Sequence, residues 1–400
     1  MTTPATSTPP ARRSSTPEPG TLGVYVHIPF CAQRCDYCDF ATWTDRAWII
    51  DDYVDACVTD LRRRVAADEL TSASSVFFGG GTPSLLDAPS LLRILDEVPR
   101  SVDAEVTVEC NPDTVDVAKL ATYAAGGVNR LSFGVQSMRP HVLAELGRTH
   151  QPANVTRAVD AARAVGLEHF NLDLIYGATG ETLDDWRVTL DGALALDPPH
   201  VSAYALTCEP ATPLGRRVAA GTTPPPDDDD QATKYEVADA ALAGAGLDWY
   251  EISNWSRAGH ECRHNLLTWA QGDYVGIGAA AHAHRHGVRS WNVRTPERYV
   301  ERIHAGAAPE AGREHLDPVT RAEERLVLAL RTRGGVPVHP DAMTETETLT
   351  RAGFLTRRGD GVRLTRRGRL LANDVTVRLL AAGAAQPAPT LSHRIPVGTR

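Results

Sequence analysis

Four hundred residues exceed one ordinary hydrophobic core and suit two domains, at roughly 100–200 residues each. Hydrophobic residues make up 42% and charged residues 23%, with a net charge of −9. That balance excludes a chain disordered throughout and offers no global basic field for nucleic acid. No run of about 18 apolar residues is present, so no membrane span is expected. Residues 1–20, MTTPATSTPPARRSSTPEPG, are rich in Thr, Ser and Pro and lack an apolar stretch. They read as a disordered leader and not an export signal, which points to a cytoplasmic protein.

From Leu22 to about Leu206, short β-rich runs alternate with longer helical stretches. The runs are GVYVHI (23–28), SVFFGG (75–80), EVTVEC (105–110), RLSFGV (130–135), HFNLDLIYG (169–177) and HVSAYAL (200–206). Segments between them place apolar residues three and four apart, the helical period. Such alternation predicts parallel strands with right-handed crossovers, an α/β fold with either an open sheet or a partial barrel. GTTPPPDDDD (221–230) reads as a surface loop feeding a helix near Asp228, whose aspartates complement the helix dipole. LDWYEISN (247–254) reads as one further strand, and a stretch rich in His, Asn, Trp and Gly runs on to about Trp291. From about Thr295 the chain becomes helical and Arg-rich. It then reads as helix, turn, a hairpin around Gly359–Gly361 and a helix, the layout of a small winged-helix module. The acidic balance of the chain weighs against DNA as its ligand.

Seven cysteines are an odd number for a disulfide framework, and Cys31, Cys35 and Cys38 lie within eight residues. The stretch YVHIPFCAQRCDYCDF gives a C-x3-C-x2-C spacing directly after the first strand. Three thiolates on one tight loop can hold three irons of a cubane cluster and leave the fourth iron open. A zinc site completed by His27 is the structural alternative, since structural zinc is normally four-coordinate. Polar groups recur at the ends of the later strands: Gly79, Gly80, Gly81 and Thr82, then Glu109 and Asn111, then Gln136, then Asp173, Tyr176 and Gly177. Each alone could be a cap or a turn. Together they mark one end of successive parallel strands, where barrel sites are built.

The cysteine spacing, with Tyr37 just before the third cysteine, resembles the radical S-adenosylmethionine (SAM) superfamily. YVHIPFC, GGGTPS, ECNPD, GVNRLSFGVQS, LGRTH and NLDLIYG resemble, in order, the oxygen-independent coproporphyrinogen III oxidases and their close relatives. The resemblance implies a partial parallel (β/α)6 barrel of radical SAM type at 21–292 with its C-terminal extension. A small, mainly helical C-terminal domain of that family follows at 293–383, with a flexible tail at 384–400. It implies a [4Fe-4S] cluster on Cys31, Cys35 and Cys38, and SAM beside Tyr25, Tyr37, Gly80, Gly81, Thr82, Glu109, Gln136, Arg148 and Asp173. Some family members bind a second SAM molecule. Arg148 could equally be an ordinary helix-end or surface arginine.

The oxidases carry a fourth cysteine where this chain has Phe40, and a longer ordered lead-in before the first strand. Both departures resemble a branch taken to bind haem and pass it to acceptor proteins. That branch carries H-N-x-x-Y-W, matched here by His264, Asn265 and Trp269, with Thr268 in place of the tyrosine. Those three residues are the implied haem site, because an imidazole can ligate iron and an indole can pack on a porphyrin. Asn and His could instead close a loop. His282, His284 and His286 offer further imidazoles on a stretch that also fits an exposed strand. Cys57, Cys110, Cys208 and Cys262 read as core or spare thiols, with Cys262 the exception if haem is attached covalently. The implied partners are haem and an acceptor protein, for which a respiratory-chain protein is the candidate. The alternative function is the oxidase itself, acting in haem biosynthesis.

Overall fold

The structure is a computed structural model that describes residues 21–385. The six expected strands form in order: β1 Leu22–Ile28, β2 Ala73–Gly80, β3 Arg100–Cys110, β4 Arg130–Gln136, β5 Phe170–Tyr176 and β6 His200–Ala205. Each pairs in parallel with the next, and helices fill the crossovers between them. LDWYEISN departs from expectation, because it folds into a hairpin of β7 Asp248–Glu251 and β8 Asn254–Ser256. The Glu251 carboxyl accepts from Ser253 N and Asn254 Nδ2, which turns the chain back on itself. β8 then pairs antiparallel with β6.

At the other end, β9 Asp273–Ile277 lies parallel to β1. It is followed by β10 His282–Arg285, β11 Val288–Asn292 and β12 Glu310–His315. The sheet has twelve strands in the order β12-β11-β10-β9-β1-β2-β3-β4-β5-β6-β8-β7, so its ends do not meet and the barrel is partial.

Residue alternation along these strands creates the interior. One face carries Val24, Val26 and Ile28 of β1, Val106 and Val108 of β3, Leu131, Phe133 and Val135 of β4, and Leu172 and Leu174 of β5, all buried. These pack beneath the crossover helices, as a period of two requires. The opposite face is polar. Thr107 pairs in register with Arg130, Glu109 with Ser132, Ser132 with Asn171, and Asn171 with His200. A strand buried on both faces normally reads as continuously apolar. Here one face of each strand lines a cavity.

Contacts divide the chain into a unit ending at Glu314 and another beginning at His315. The helix Pro296–His304 and β12 up to Glu314 fall in the first unit, beyond the expected boundary at 292/293. Packing of the helix explains it: Tyr299 lies 5.5 Å from Tyr53 ring to ring and donates to Asp60 at 2.9 Å, both on the helix Ile50–Ala66. β12 extends the main sheet.

The second unit has the expected winged layout. Helices Pro318–Leu330 and Met343–Arg351 precede the hairpin of β14 Leu355–Arg358 and β15 Gly361–Leu364, with β13 Val336–Pro337 completing a three-stranded sheet. Helices Arg366–Leu370 and Ala372–Ala381 close it around Leu326, Leu330, Leu349, Val375 and Leu379. The expected leader and most of the expected tail lie outside the described residues. Ala384 is described, and it is buried and accepts a hydrogen bond from His339 N at 3.2 Å. Among the described residues, no helix is long and apolar enough to cross a membrane.

Candidate functional site

The loop after β1 carries Cys31, Cys35 and Cys38, all partly exposed and none in a disulfide. Backbone bonds tie it down: Cys31 N to Trp43 O at 3.0 Å, Trp43 N to Pro29 O at 2.8 Å, and Cys38 N to Cys35 O at 3.2 Å. Leu214 N donates to Asp36 O at 2.9 Å, and Arg217 pairs with the Asp36 carboxylate at 2.6 Å. Burial pushes the Cys38 thiol up to about 11, and the nearby Cys35 and Cys31 thiols add to it. Cys31 is raised for the same first reason. Two donors meet these sulfurs: Thr82 Oγ1 at 3.6 Å from Cys31 Sγ, and Arg148 at 3.6 Å from Cys35 Sγ.

His27 is unsuited to complete a zinc site. Its Nδ1 lies 3.1 Å from Tyr25 Oη and its Nε2 lies 2.9 Å from Ala41 O, so both ring nitrogens are engaged. Among the described residues, no three His, Cys, Asp or Glu side chains are grouped to hold a single metal ion.

The glycine turn after β2 is built for close approach. Gly81 N donates to Ile28 O and Thr82 N to Phe30 O, both at 2.8 Å, which zips the turn onto the cysteine loop. A Cβ on Gly81 would stand 2.7 Å from Phe30 O and 3.0 Å from Cys31 Sγ. Gly80 adopts φ +111°, a region that a side chain strains, and donates from its N to Glu109 Oε2 at 3.1 Å. Gln136 sits at an irregularity in the β4–β5 register with φ +65°, the kind of kink that re-aims a side chain. Arg148 is no surface arginine, since its guanidinium bonds Gly134 O at 2.8 Å as well as Cys35. Tyr37 packs against the apolar cluster of Val142, Leu146, Ile175 and Leu214. Asn111 serves as a cap, accepting from Asp113 N at 3.0 Å.

A cavity of about 830 Å³ opens at this end and runs down the barrel interior. It falls in the range of roughly 300–1,000 Å³ typical of ligand pockets. Of the expected SAM residues, Tyr25, Gly80, Glu109 and Asp173 line it, whereas Tyr37, Gly81, Thr82, Gln136 and Arg148 do not. Burial pushes the Glu109 carboxyl up to about 8, with help from the Asp173 charge. Asp173 is raised by burial too, against hydrogen bonds from Ser132 Oγ and Asn171 Nδ2, both at 2.8 Å. Arg130 is buried in the same wall; burial opposes its charge, and the field of Cys262, Glu105, Tyr250 and Asp173 outweighs it.

The expected haem residues separate. His264 and Asn265 line the cavity, but Trp269, half-buried at the end of the helix Arg263–Trp269, does not. His264 Nδ1 lies 3.1 Å from Ser75 Oγ, its ring stacks on Phe77 at 5.2 Å, and burial lowers its pKa to about 4. Ser75 pairs with Gly23, whereas the cysteine loop leaves β1 after Ile28, level with Gly80. Five residues of strand separate those levels, about 16 Å at ~3.3 Å per residue. Cys262 lies beside His264 in the cavity wall, with its Sγ 3.5 Å from Glu105 Oε1. Sequence reading missed Arg130, His200, Tyr204 and Trp291 among the lining residues. The signal was available as polar residues at alternate positions of β4, β5 and β6.

The family model "Radical SAM superfamily" matches residues 25–193, and "HemN C-terminal domain" matches 316–371. The chain is 42% identical over 381 residues to "Heme chaperone HemW" of Mycobacterium tuberculosis, covering 91% of this chain and 96% of that protein. It is 32% identical over 370 residues to the protein of that name from Bacillus subtilis, at 88% and 97% coverage. Among solved structures, the coproporphyrinogen III oxidase HemN of Escherichia coli superposes with a TM-score of 0.78 at 21% identity, over 92% and 91% of the two chains. That likeness concerns the fold. With identity sustained over nearly the whole length of its relatives, the chain belongs to the HemW heme chaperone family within the radical SAM fold.

Proposed function

We propose that this protein is a cytoplasmic haem carrier that delivers haem to an acceptor protein. In this reading Cys31, Cys35 and Cys38 hold a [4Fe-4S] cluster and the adjacent strand ends hold SAM. The observation that carries the proposal is the near full-length identity to proteins named heme chaperone. Phe40 supports it, standing exposed on the cavity rim where the oxidases carry a fourth thiol.

Three thiols on one loop are a donor set that suits a polynuclear cluster, which would take one thiolate per iron. When bound, such a group would supply one-electron reduction of a sulfonium. Thr82 and Arg148 donate toward Cys31 and Cys35 sulfurs, which stabilises thiolate charge. Glu109 and Asp173 favour a ligand that brings positive charge, because a nearby cation lets raised carboxyls ionise. SAM brings a sulfonium and an ammonium. The carrier's acceptor is proposed to be a respiratory-chain protein.

The test is anaerobic reconstitution of the full chain with iron and sulfide, followed by haemin or by coproporphyrinogen III with SAM and a reductant. The wild type is expected to take up iron and sulfide, to bind haem stoichiometrically and to form no protoporphyrinogen. A Cys31→Ser, Cys35→Ser, Cys38→Ser variant is expected to lose the iron. Turnover to protoporphyrinogen without haem retention overturns the carrier reading in favour of the oxidase.

A further inference from the structure

Four histidines line the cavity: His27, His200, His264 and His282. His27 has both nitrogens engaged, as described above. His200 does too, with Nδ1 beside Asn171 Oδ1 at 2.5 Å and Nε2 beside Tyr250 Oη at 2.8 Å. His264 has one nitrogen committed to Ser75 and its ring buried deep in the barrel. His282 differs from all three. It lies on β10, is exposed, and among the described residues neither ring nitrogen has a hydrogen-bond partner. An imidazole needs an unengaged, reachable nitrogen to take a metal.

The surroundings of His282 match a flat apolar ligand with acidic substituents. Its ring lies 6.1 Å from Trp291 at an interplanar angle of 32°, and Trp291 remains 37% exposed. Phe40 is 64% exposed and borders the same cavity, although both are large apolar groups facing water. His27 reaches the Phe40 side, its Nε2 bonded to Ala41 O next to Phe40 at 2.9 Å. Arg294, exposed just beyond β11, also lines the cavity and presents a guanidinium suited to carboxylates. Exposed aromatic faces beside a cavity mark a ligand site, because they cost solvation until something covers them.

We infer that haem seats at the mouth of this cavity, with His282 ligating its iron, Trp291 and Phe40 against the porphyrin faces, and Arg294 toward its carboxylates. This rests on the haem-carrier reading and moves the ligand from His264 to His282. A cargo held at the mouth can be reached by an acceptor, whereas one held at His264 would lie under the barrel wall.

The experiment is a haemin titration of the full chain, read by absorption, for wild type, His282→Ala, His282→Met and His264→Ala. Removing His282 is expected to weaken binding by about tenfold or more, and His282→Met to shift the Soret and visible bands while still holding haem. His264→Ala is expected to leave affinity and spectrum as in the wild type. An unaltered spectrum in both His282 variants, with loss in His264→Ala, overturns the inference but keeps the carrier reading. Failure of the wild type to bind haem overturns the carrier reading itself.

Discussion

Lys234 is one of only two lysines in the chain, and it is fully buried. Its Nζ donates to Glu181 O at 2.8 Å and Asp230 Oδ2 at 2.7 Å, and pairs with Glu181 Oε2 at 3.1 Å. Glu181 in turn accepts from Gly177 N at 2.7 Å, so this group anchors the loop that follows β5. Lys234→Met keeps much of the side-chain volume and removes the ammonium. Asp230 is half exposed and can turn to water, so its loss is small. Glu181 cannot, and its Oε1 already lacks a partner. Stranding a buried carboxylate in this way costs about 3–5 kcal/mol.

The cost should depend on pH. Burial already raises the Glu181 pKa above its ordinary 4.5, and Lys234 opposes that rise. Without Lys234 the folded-state value climbs further. A raised folded-state pKa gives stability that is whole below the unfolded value and is lost as pH rises through the folded one. The deficit of Lys234→Met is therefore smallest near about pH 5 and largest at about pH 8. The assay is urea denaturation followed by tryptophan fluorescence, since Trp186 Nε1 bonds Lys234 O at 2.9 Å. At about 1–3 kcal/mol per molar urea, the midpoint should fall by at least about 1 M at the higher pH. Adding Glu181→Gln should restore most of it, because removing both charges avoids the stranded carboxylate. A deficit below about 1 kcal/mol, or one equal at both pH values, would refute the reasoning.

Two further outcomes are expected. Gly80→Ala places a Cβ 2.5 Å from the His27 ring at φ +111°, and that ring is pinned by Tyr25 and Ala41. Left-handed strain and overpacking together predict a loss of about 2–4 kcal/mol; a thermal midpoint matching the wild type would contradict it. Glu109→Gln mimics the protonated form that a pKa of about 8 favours. Wild-type stability should therefore fall as pH rises from Glu109's ordinary 4.5 toward 8, and the variant should lose less. Melting curves for ligand-free protein at about pH 6 and about pH 9 decide it. Equal losses in the two proteins would place the carboxyl in water.

What sequence carries well is information held within a few residues. The thiol spacing Cys31, Cys35, Cys38 lies on one loop, and each strand run was legible because a period of two survives in the local order of residues. Asp227 caps the helix that begins at Asp228, as the aspartate run implies. LDWYEISN was misread because its hairpin depends on one carboxyl, Glu251, folding over its own chain, and nothing in its apolar pattern marks the turn. The boundary expected at 292/293 came with the family resemblance, which cannot see that Tyr299 packs on Tyr53.

Tertiary structure decided everything that rests on distant partners. Arg148 meets Cys35 across 113 residues of chain and also bonds Gly134 O, which distinguishes it from a surface arginine. The four cavity histidines look interchangeable in sequence, where one imidazole resembles another. Their hydrogen bonds separate them: Tyr25 and Ala41 hold His27, Asn171 and Tyr250 hold His200, Ser75 holds His264. Metal-binding capacity belongs to a nitrogen without a partner, and partners are supplied by strands the chain brings together only on folding.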